Sequence, residues 1–228
     1  MIKISSISTK VIRKINNVLG RGTNKFLKHV TGVIHIGANT GQERDLYRTH
    51  NLKVVWVEPI PKVYEKLKEN IKSYENQKAI KALITNKNNK EYKFNIANNE
   101  GASSSILKLK EHKDIWPDVF YKETILLKST TLEKLIENEK ININNYQALV
   151  LDTQGSELLV LSGSTSILKH FKYIVVEVAD FESYKDCCTL IQVTEFMKKQ
   201  NFQENHRSKF VESINGGSYY DIVYKRMN

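Results

Sequence analysis

The run Val33-Ile34-His35-Ile36-Gly37-Ala38-Asn39-Thr40-Gly41 is a short apolar stretch that ends in a glycine-rich turn. A segment of helical character, Gln42 to His50, follows it. A second apolar run, Val54-Val55-Trp56-Val57, then ends in Glu58. Strand, glycine turn, helix, strand, acid is the βαβ plan that holds nucleoside-containing cofactors. Gly37 and Gly41 lack a Cβ, so the backbone can turn tightly and come close to a ligand. A carboxylate at Glu58, at the end of the second strand, can accept hydrogen bonds from both hydroxyls of a ribose.

The spacing separates two cofactors. A dinucleotide site uses G-x-G-x-x-G to cradle a pyrophosphate. Here the turn reads G-A-N-T-G, with Asn39 in place of the middle glycine and no cation to meet a diphosphate. Glycines four apart around a polar Asn suit a cofactor with an amino-acid end and no phosphate, and S-adenosylmethionine has that composition. A ligand-free glycine turn in an ordinary α/β protein is the alternative, and the placement of Glu58 favours the cofactor.

The chain has 228 residues, enough for one large domain, or for one domain with an extension, around a full core. No apolar run approaches the ~20 residues that span a bilayer. The first residues interleave apolar side chains with Lys and polar ones, unlike a secretory leader, so a cytoplasmic location is expected. The two cysteines, Cys187 and Cys188, are adjacent; adjacent cysteines rarely pair, and no Cys or His stands near them at metal spacing. No metal is expected. The net charge of +10 invites a nucleic-acid partner. Lys, Asn and Ile are abundant throughout, however, and a Lys-rich surface explains the charge without one. Residues 1–30 stand out, with seven Lys or Arg and no Asp or Glu. Ile4, Ile7, Val11, Ile15, Val18 and Leu19 recur there at helical spacing. A basic amphipathic extension over 1–30 and a domain over 31–228 are expected. The extension could lie on an anionic inner-membrane surface; packing its apolar stripe on the domain is the preferred expectation.

The alternation continues. Pro61 to Ser73 reads as a helix with proline in its first turn, Ala79 to Ile84 as a third strand, and Glu91 to Ile96 as an edge strand. Asn98 to Ser105 is a loop and Thr124 to Leu127 a short strand. Thr130-Thr131-Leu132-Glu133 has the pattern of a capping box opening a helix to about Glu139. Ala148 to Leu151 is a buried strand that ends in Asp152. Glu157 to Leu161 and Thr165 to His170 are helical pieces, Tyr173 to Val178 is a strand with Glu177 inside it, and Thr189 to Gln200 is a helix. Phe202 to His206 and Asp221 to Lys225 read as the final strands. This order predicts an α/β fold, a mostly parallel sheet with helices on both faces.

In an open α/β sheet, ligands bind beyond the carboxyl ends of the strands. Asp152 and Glu58 should therefore share a crevice with Gly37. Asp152 could instead cap the helical segment near Ser156. Glu177 within an apolar strand either faces solvent or lines the pocket, because a lone buried carboxylate is costly. The segment from Ser103 to His112 could be a surface loop, or a lid that brings His112 in as a base.

The motifs VIHIGANTGQE, VVWVEPIP, SSSILKLKEH, TTLEKL, LDTQGSELLVLSG and YIVVEV, in this order, resemble the FkbM family of S-adenosylmethionine-dependent methyltransferases. The likeness runs from about Thr31 to Tyr224. It implies a Rossmann-like class I methyltransferase fold, a seven-stranded sheet whose last strand is antiparallel. It implies that Gly37, Ala38, Asn39 and Gly41 contact the methionine end of the cofactor, that Glu58 holds the ribose, and that Ala82 and Leu83 flank the adenine. Pro59 beside Glu58, Ser104, Asp152 and His35 are further candidates for cofactor contact. Most enzymes of this class have an acid where His35 stands. The family's W-G-D-A motif is replaced by Ser218-Tyr219-Tyr220-Asp221, so only Asp221 carries over.

The resemblance implies methyl transfer to a hydroxyl oxygen, with sugars of cell-surface glycans or small-molecule natural products as acceptors. His112, Asp152, Glu177 and Asp221 are the candidate bases. A nucleic-acid methyltransferase and a non-enzymatic cofactor-binding protein are the rivals. The N/D-P-P-Y/F turn common in amino-methylating enzymes is absent at Asp152-Thr153-Gln154-Gly155, which speaks against the first. Gly37, Gly41 and Glu58 are all present, which speaks against the second.

Overall fold

Residues 22–227 are described by a computed structural model. In chain order the elements are β1 (Gly32–Ile36), α1 (Arg44–Thr49), β2 (Lys53–Val57), α2 (Pro61–Ile71), β3 (Gln77–Ile80), β4 (Leu83–Ile84), β5 (Glu91–Ala97), α3 (His112–Ile115), β6 (Tyr121–Thr130), α4 (Leu132–Asn138), β7 (Ala148–Leu151), α5 (Glu157–Ser162), β8 (Tyr173–Ala179), α6 (Leu190–Lys199), β9 (Phe202–Glu212) and β10 (Ser218–Arg226). The main sheet has seven strands in the order β3-β2-β1-β7-β8-β10-β9. β1, β2, β3, β7 and β8 pair in parallel, and β10 runs antiparallel to both β8 and β9.

The period of two along the central strands builds a core on each face. Ile34, Ile36, Val55, Val57, Leu149, Leu151, Ile174 and Val176 pack with Leu132 and Leu135 of α4, Val160 and Leu161 of α5, and Val193 and Met197 of α6. Their neighbours Val33, Val54, Trp56, Ala148, Val150 and Val175 pack on the other face with Tyr47 of α1 and with Leu67 and Ile71 of α2. The 3₁₀ segment Thr23–His29 joins that second core through Phe26 and Leu27. The expected helix over Ile4 to Leu19 lies outside the described residues.

Several elements differ from the sequence reading, the final strands β9 and β10 among them, both longer than expected. The expected third strand over Ala79 to Ile84 is two strands. β3 pairs with β2 as far as Ile80, and the chain then crosses at Lys81 and Ala82 to pair β4 with Ser129 and Thr130 of β6. β4, β6 and β5 form a second, three-stranded sheet in that order. β6 is ten residues long rather than four, and most of it is exposed or half-buried. The helix after it is capped by Thr131, whose hydroxyl accepts the Lys134 N–H at 3.2 Å; the N-cap lies one residue beyond the expected Thr130, and Lys134 stands where a capping box needs Glu or Gln.

Phe26 is buried against Tyr173 with ring centroids 5.6 Å apart. Phe26→Ala should destabilise the protein by about 3 kcal/mol, from lost transfer energy and a residual cavity. Urea unfolding of the full chain measures this, and a loss well below 1 kcal/mol would show that the Thr23–His29 segment is not part of the core.

Candidate functional site

A cleft opens at the carboxyl ends of β1, β2 and β7. Its walls include His35, Gly37, Ala38, Asn39, Gln42, Glu43, Glu58, Pro59, Ile60, Ala82, Leu83, Phe94, Ser104, Asp152, Thr153 and Gln154. Gly37 has φ +82°, and a Cβ there would lie 1.8 Å from the Asp152 carbonyl oxygen, so only glycine lets the two turns meet. Asn39 also has positive φ, 46°. Its N–H donates to Glu58 Oε2 at 2.9 Å, while the Ile60 N–H donates to Glu58 Oε1 at 2.9 Å. These bonds aim the carboxyl and leave each oxygen a further lone pair for a ribose hydroxyl. Burial pushes Glu58 up to about 8, opposed by those two N–H donors. Hydroxyl donors from a ligand would favour its ionised form.

Ten of the expected cofactor contacts line this cleft: His35, Gly37, Ala38, Asn39, Glu58, Pro59, Ala82, Leu83, Ser104 and Asp152. Gly41 does not. It has φ +71°, and a Cβ there would meet Leu67 Cδ1 at 2.7 Å, so this glycine serves the packing of the turn against α2. Ala82 and Leu83 reach the cleft through the crossing between the two sheets. His35 is buried, stacks on Trp56 with centroids 5.1 Å apart, and shares a hydrogen bond of 3.1 Å with the Tyr47 hydroxyl through Nδ1. Burial holds it down at about 3, so the ring is neutral.

Asp152 does not cap α5. The N-cap residue of α5 is Ser156, and the Glu157 carboxylate ties down the preceding turn, accepting the N–H groups of Thr153 at 2.8 Å and Gly155 at 3.1 Å. The Gln154 amide, on a backbone with φ 54°, donates to Asp152 Oδ1 and to Glu177 Oε1, the latter at 3.1 Å. The Tyr184 hydroxyl donates to Gln154 Oε1 at 2.7 Å and orients that amide. Glu177 is buried behind Gln154, so it neither faces solvent nor stands on the cleft wall. Asp221 is buried opposite Glu177 in the β8–β10 register and is also off the wall.

The expectation that His112 swings over the cleft as a base is corrected. His112 is 0% exposed and is not on the cleft wall. Its Nδ1 meets the Tyr219 hydroxyl at 2.9 Å and its Nε2 meets Ser103 Oγ at 3.1 Å, and its ring packs on Trp116 and Tyr184. Both nitrogens are engaged, so this side chain ties the Ser103 loop to β10. The loop itself does reach the cleft, through Gly101, Ala102 and Ser104.

Glu43 is the acid that the motif reading passed over. It is buried on the cleft wall, and burial, reinforced by the Glu177 carboxylate, pushes it up to about 7. Its signal in the sequence is its place four residues before Tyr47, which is fully buried on the same helical face. Phe94 was also missed, because it comes from the second sheet. Among the described residues, no group of three His, Cys, Asp or Glu could hold a metal ion, and no helix is long and apolar enough to cross a membrane. Cys187 and Cys188 are free and buried.

A parallel sheet with an antiparallel final pair, and a cleft at its switch point with an acid at the end of β2, define a Rossmann-like class I methyltransferase, whose cofactor is S-adenosylmethionine. Residues 35–204 match the methyltransferase FkbM domain, and the chain belongs to that family. No curated protein sequence matches the chain. Among solved structures, it is similar to magnesium protoporphyrin IX methyltransferase from Synechocystis PCC 6803 with bound S-adenosylmethionine. The identity is 7%, the TM-score 0.57, and the match covers 100% of this chain and 86% of that one. It is also similar to a candidate tRNA (m1A22) methyltransferase from Streptococcus pneumoniae in complex with S-adenosyl-L-methionine, at 11% identity and TM-score 0.54, over 95% of this chain and 74% of that one. At these identities the likeness is one of fold.

The neutral His35 has a pH signature. An unfolded histidine takes up its proton near pH 6.5, and folded His35 does so only near 3. The unfolded chain therefore binds the proton first as pH falls, and stability drops from about pH 6.5 downward at about 1.4 kcal/mol per pH unit. His35→Gln should show a smaller fall in Tm than the wild type between about pH 6.5 and 4.5. Equal falls in the two proteins would show that His35 is not buried and neutral.

Proposed function

We propose that the chain transfers a methyl group to a hydroxyl oxygen of a sugar, in a cell-surface glycan or a small-molecule natural product. The observation that carries this reading is the charge of the cleft wall. Among the described residues, it includes Glu43, Glu58 and Asp152 and no Lys or Arg. Carboxylates accept hydrogen bonds from hydroxyl groups, whereas a polyphosphate backbone calls for cations.

The residues fit S-adenosylmethionine. The Gly37–Asp152 contact leaves no room for a side chain at position 37, Glu58 is aimed for ribose hydroxyls, and Ile60, Ala82, Leu83 and Phe94 offer an apolar wall for adenine. When bound, the cofactor supplies a methyl group activated by a positively charged sulfur. The protein aligns the acceptor oxygen with that methyl, which can contribute on the order of 7–11 kcal/mol. A sugar hydroxyl is a weak nucleophile, and Asp152 takes its proton, held in place by Gln154. A base in this role contributes ~10²–10⁴-fold. The protein works in the cytoplasm, with residues 1–30 as a basic extension of the domain over 31–228.

Glu58→Ala should weaken S-adenosylhomocysteine binding roughly 10- to 150-fold, the loss of a charge-assisted ribose contact, as read by calorimetry. Asp152→Asn should lower kcat ~10²-fold or more. The acceptor class is tested with labelled S-adenosylmethionine and fractionated cell extract. Label in polysaccharide or small sugar-containing molecules is expected; label in RNA would overturn the acceptor assignment.

A further inference from the structure

Glu43 is the one acid of the cleft wall without a task in this scheme. The residue is 7% exposed. Among the described residues its carboxyl is reached by its own backbone N–H and by no donor of another residue. The other two acids of the wall each hold a donor from the protein: Glu58 the N–H groups of Asn39 and Ile60, Asp152 the Gln154 amide. The charged and titratable groups around Glu43 are Glu177 on β8, Arg44 next to it, and Tyr47 one turn along α1. Arg44 donates instead to the Gly41 carbonyl at 3.0 Å. His35, at the end of β1, is neutral and committed to Tyr47. A carboxyl this buried, with open oxygens on a cleft wall, calls for a cationic or hydrogen-bonding ligand.

S-adenosylmethionine carries two cations, the sulfonium and the α-ammonium, and the ammonium needs hydrogen-bond acceptors. With His35 neutral, the glycine-turn side of the cleft offers in Glu43 a carboxyl that no other residue among those described donates to, and its own N–H leaves it acceptor capacity for a ligand. We propose that the Glu43 carboxylate receives the α-ammonium group of S-adenosylmethionine. This assignment rests on the cofactor site described above and adds the residue that reads the amino-acid end. It accounts for an acid buried beside Glu177: an ammonium between protein and ligand offsets both the desolvation of Glu43 and its repulsion from Glu177.

The test uses the full chain and two probes. S-adenosylhomocysteine has the amino-acid end, and 5′-methylthioadenosine lacks it. In calorimetry at pH 7, Glu43→Gln should weaken S-adenosylhomocysteine binding roughly 10- to 150-fold and leave 5′-methylthioadenosine binding as in the wild type. Glu43→Asp should restore part of the loss. Wild-type protein should release protons on binding S-adenosylhomocysteine near pH 6–7, read from the dependence of the binding enthalpy on the buffer, because the ammonium favours ionised Glu43. Glu58 titrates in a neighbouring window, so the Glu43 share is the part of the release that Glu43→Gln abolishes. Unchanged affinity and proton release in Glu43→Gln would overturn the assignment, and so would an equal loss for both probes. Wild-type protein that binds neither probe would overturn the cofactor site itself, and the assignment with it.

Discussion

The site depends on one close approach. At the carboxyl ends of β1 and β7 the backbone leaves no room for a Cβ on Gly37, because the Asp152 carbonyl oxygen occupies that space. β1 lies between β2 and β7 in the sheet; the chain leaves β1 toward β2, and it leaves β7 toward β8. The two connections diverge and open a crevice above the strand ends, the general location of ligand sites in open α/β sheets. A side chain at position 37 would push the glycine turn away from the Asp152–Gln154 turn. Glu43 and Glu58 reach the cleft from one side of this contact and Asp152 from the other, so all three depend on it.

The strands beneath are buried on both faces, which makes the platform rigid. That rigidity sets the electrostatics. His35 belongs to the face that carries Trp56 and Tyr47, and it remains neutral because the stack around it excludes water. Glu43 and Glu58 are raised by the same loss of solvent. The cleft thus holds carboxyl groups whose ionised forms are costly, and a ligand that brings cations and hydroxyl donors lowers that cost. This is one physical reason for a neutral His at the end of β1 and an acid at the start of α1.

Much of this arrangement was legible in the chain. The Val33–Gly41 run, the Val54–Glu58 run and the strand ending at Asp152 have local signals, apolar β-rich segments that stop at a glycine or an acid, and each stands where the pattern predicts. The antiparallel final strand followed from the family resemblance. What was not legible depends on contacts between distant segments. Ala79 to Ile84 reads as one strand because nothing local marks the change of sheet at Lys81 and Ala82. The length of β6 is set by pairing with β5 on an exposed sheet whose Leu126 remains 60% exposed, not by its own hydropathy. His112 was misread because a histidine after a polar loop looks solvent-facing. Its burial comes from Tyr219, 107 positions away. Glu43 was overlooked because a charged residue in a first helical turn is usually solvated, and only the burial of Tyr47 beside it turns it inward.

A crystal structure of the full chain with S-adenosylhomocysteine is the most direct test of this site. The ribose hydroxyls should lie on the Glu58 carboxylate, the adenine between Leu83 and Phe94, and the amino-acid end beside the Gly37 turn. A molecule bound elsewhere, or one whose ribose makes no contact with Glu58, would contradict this assignment.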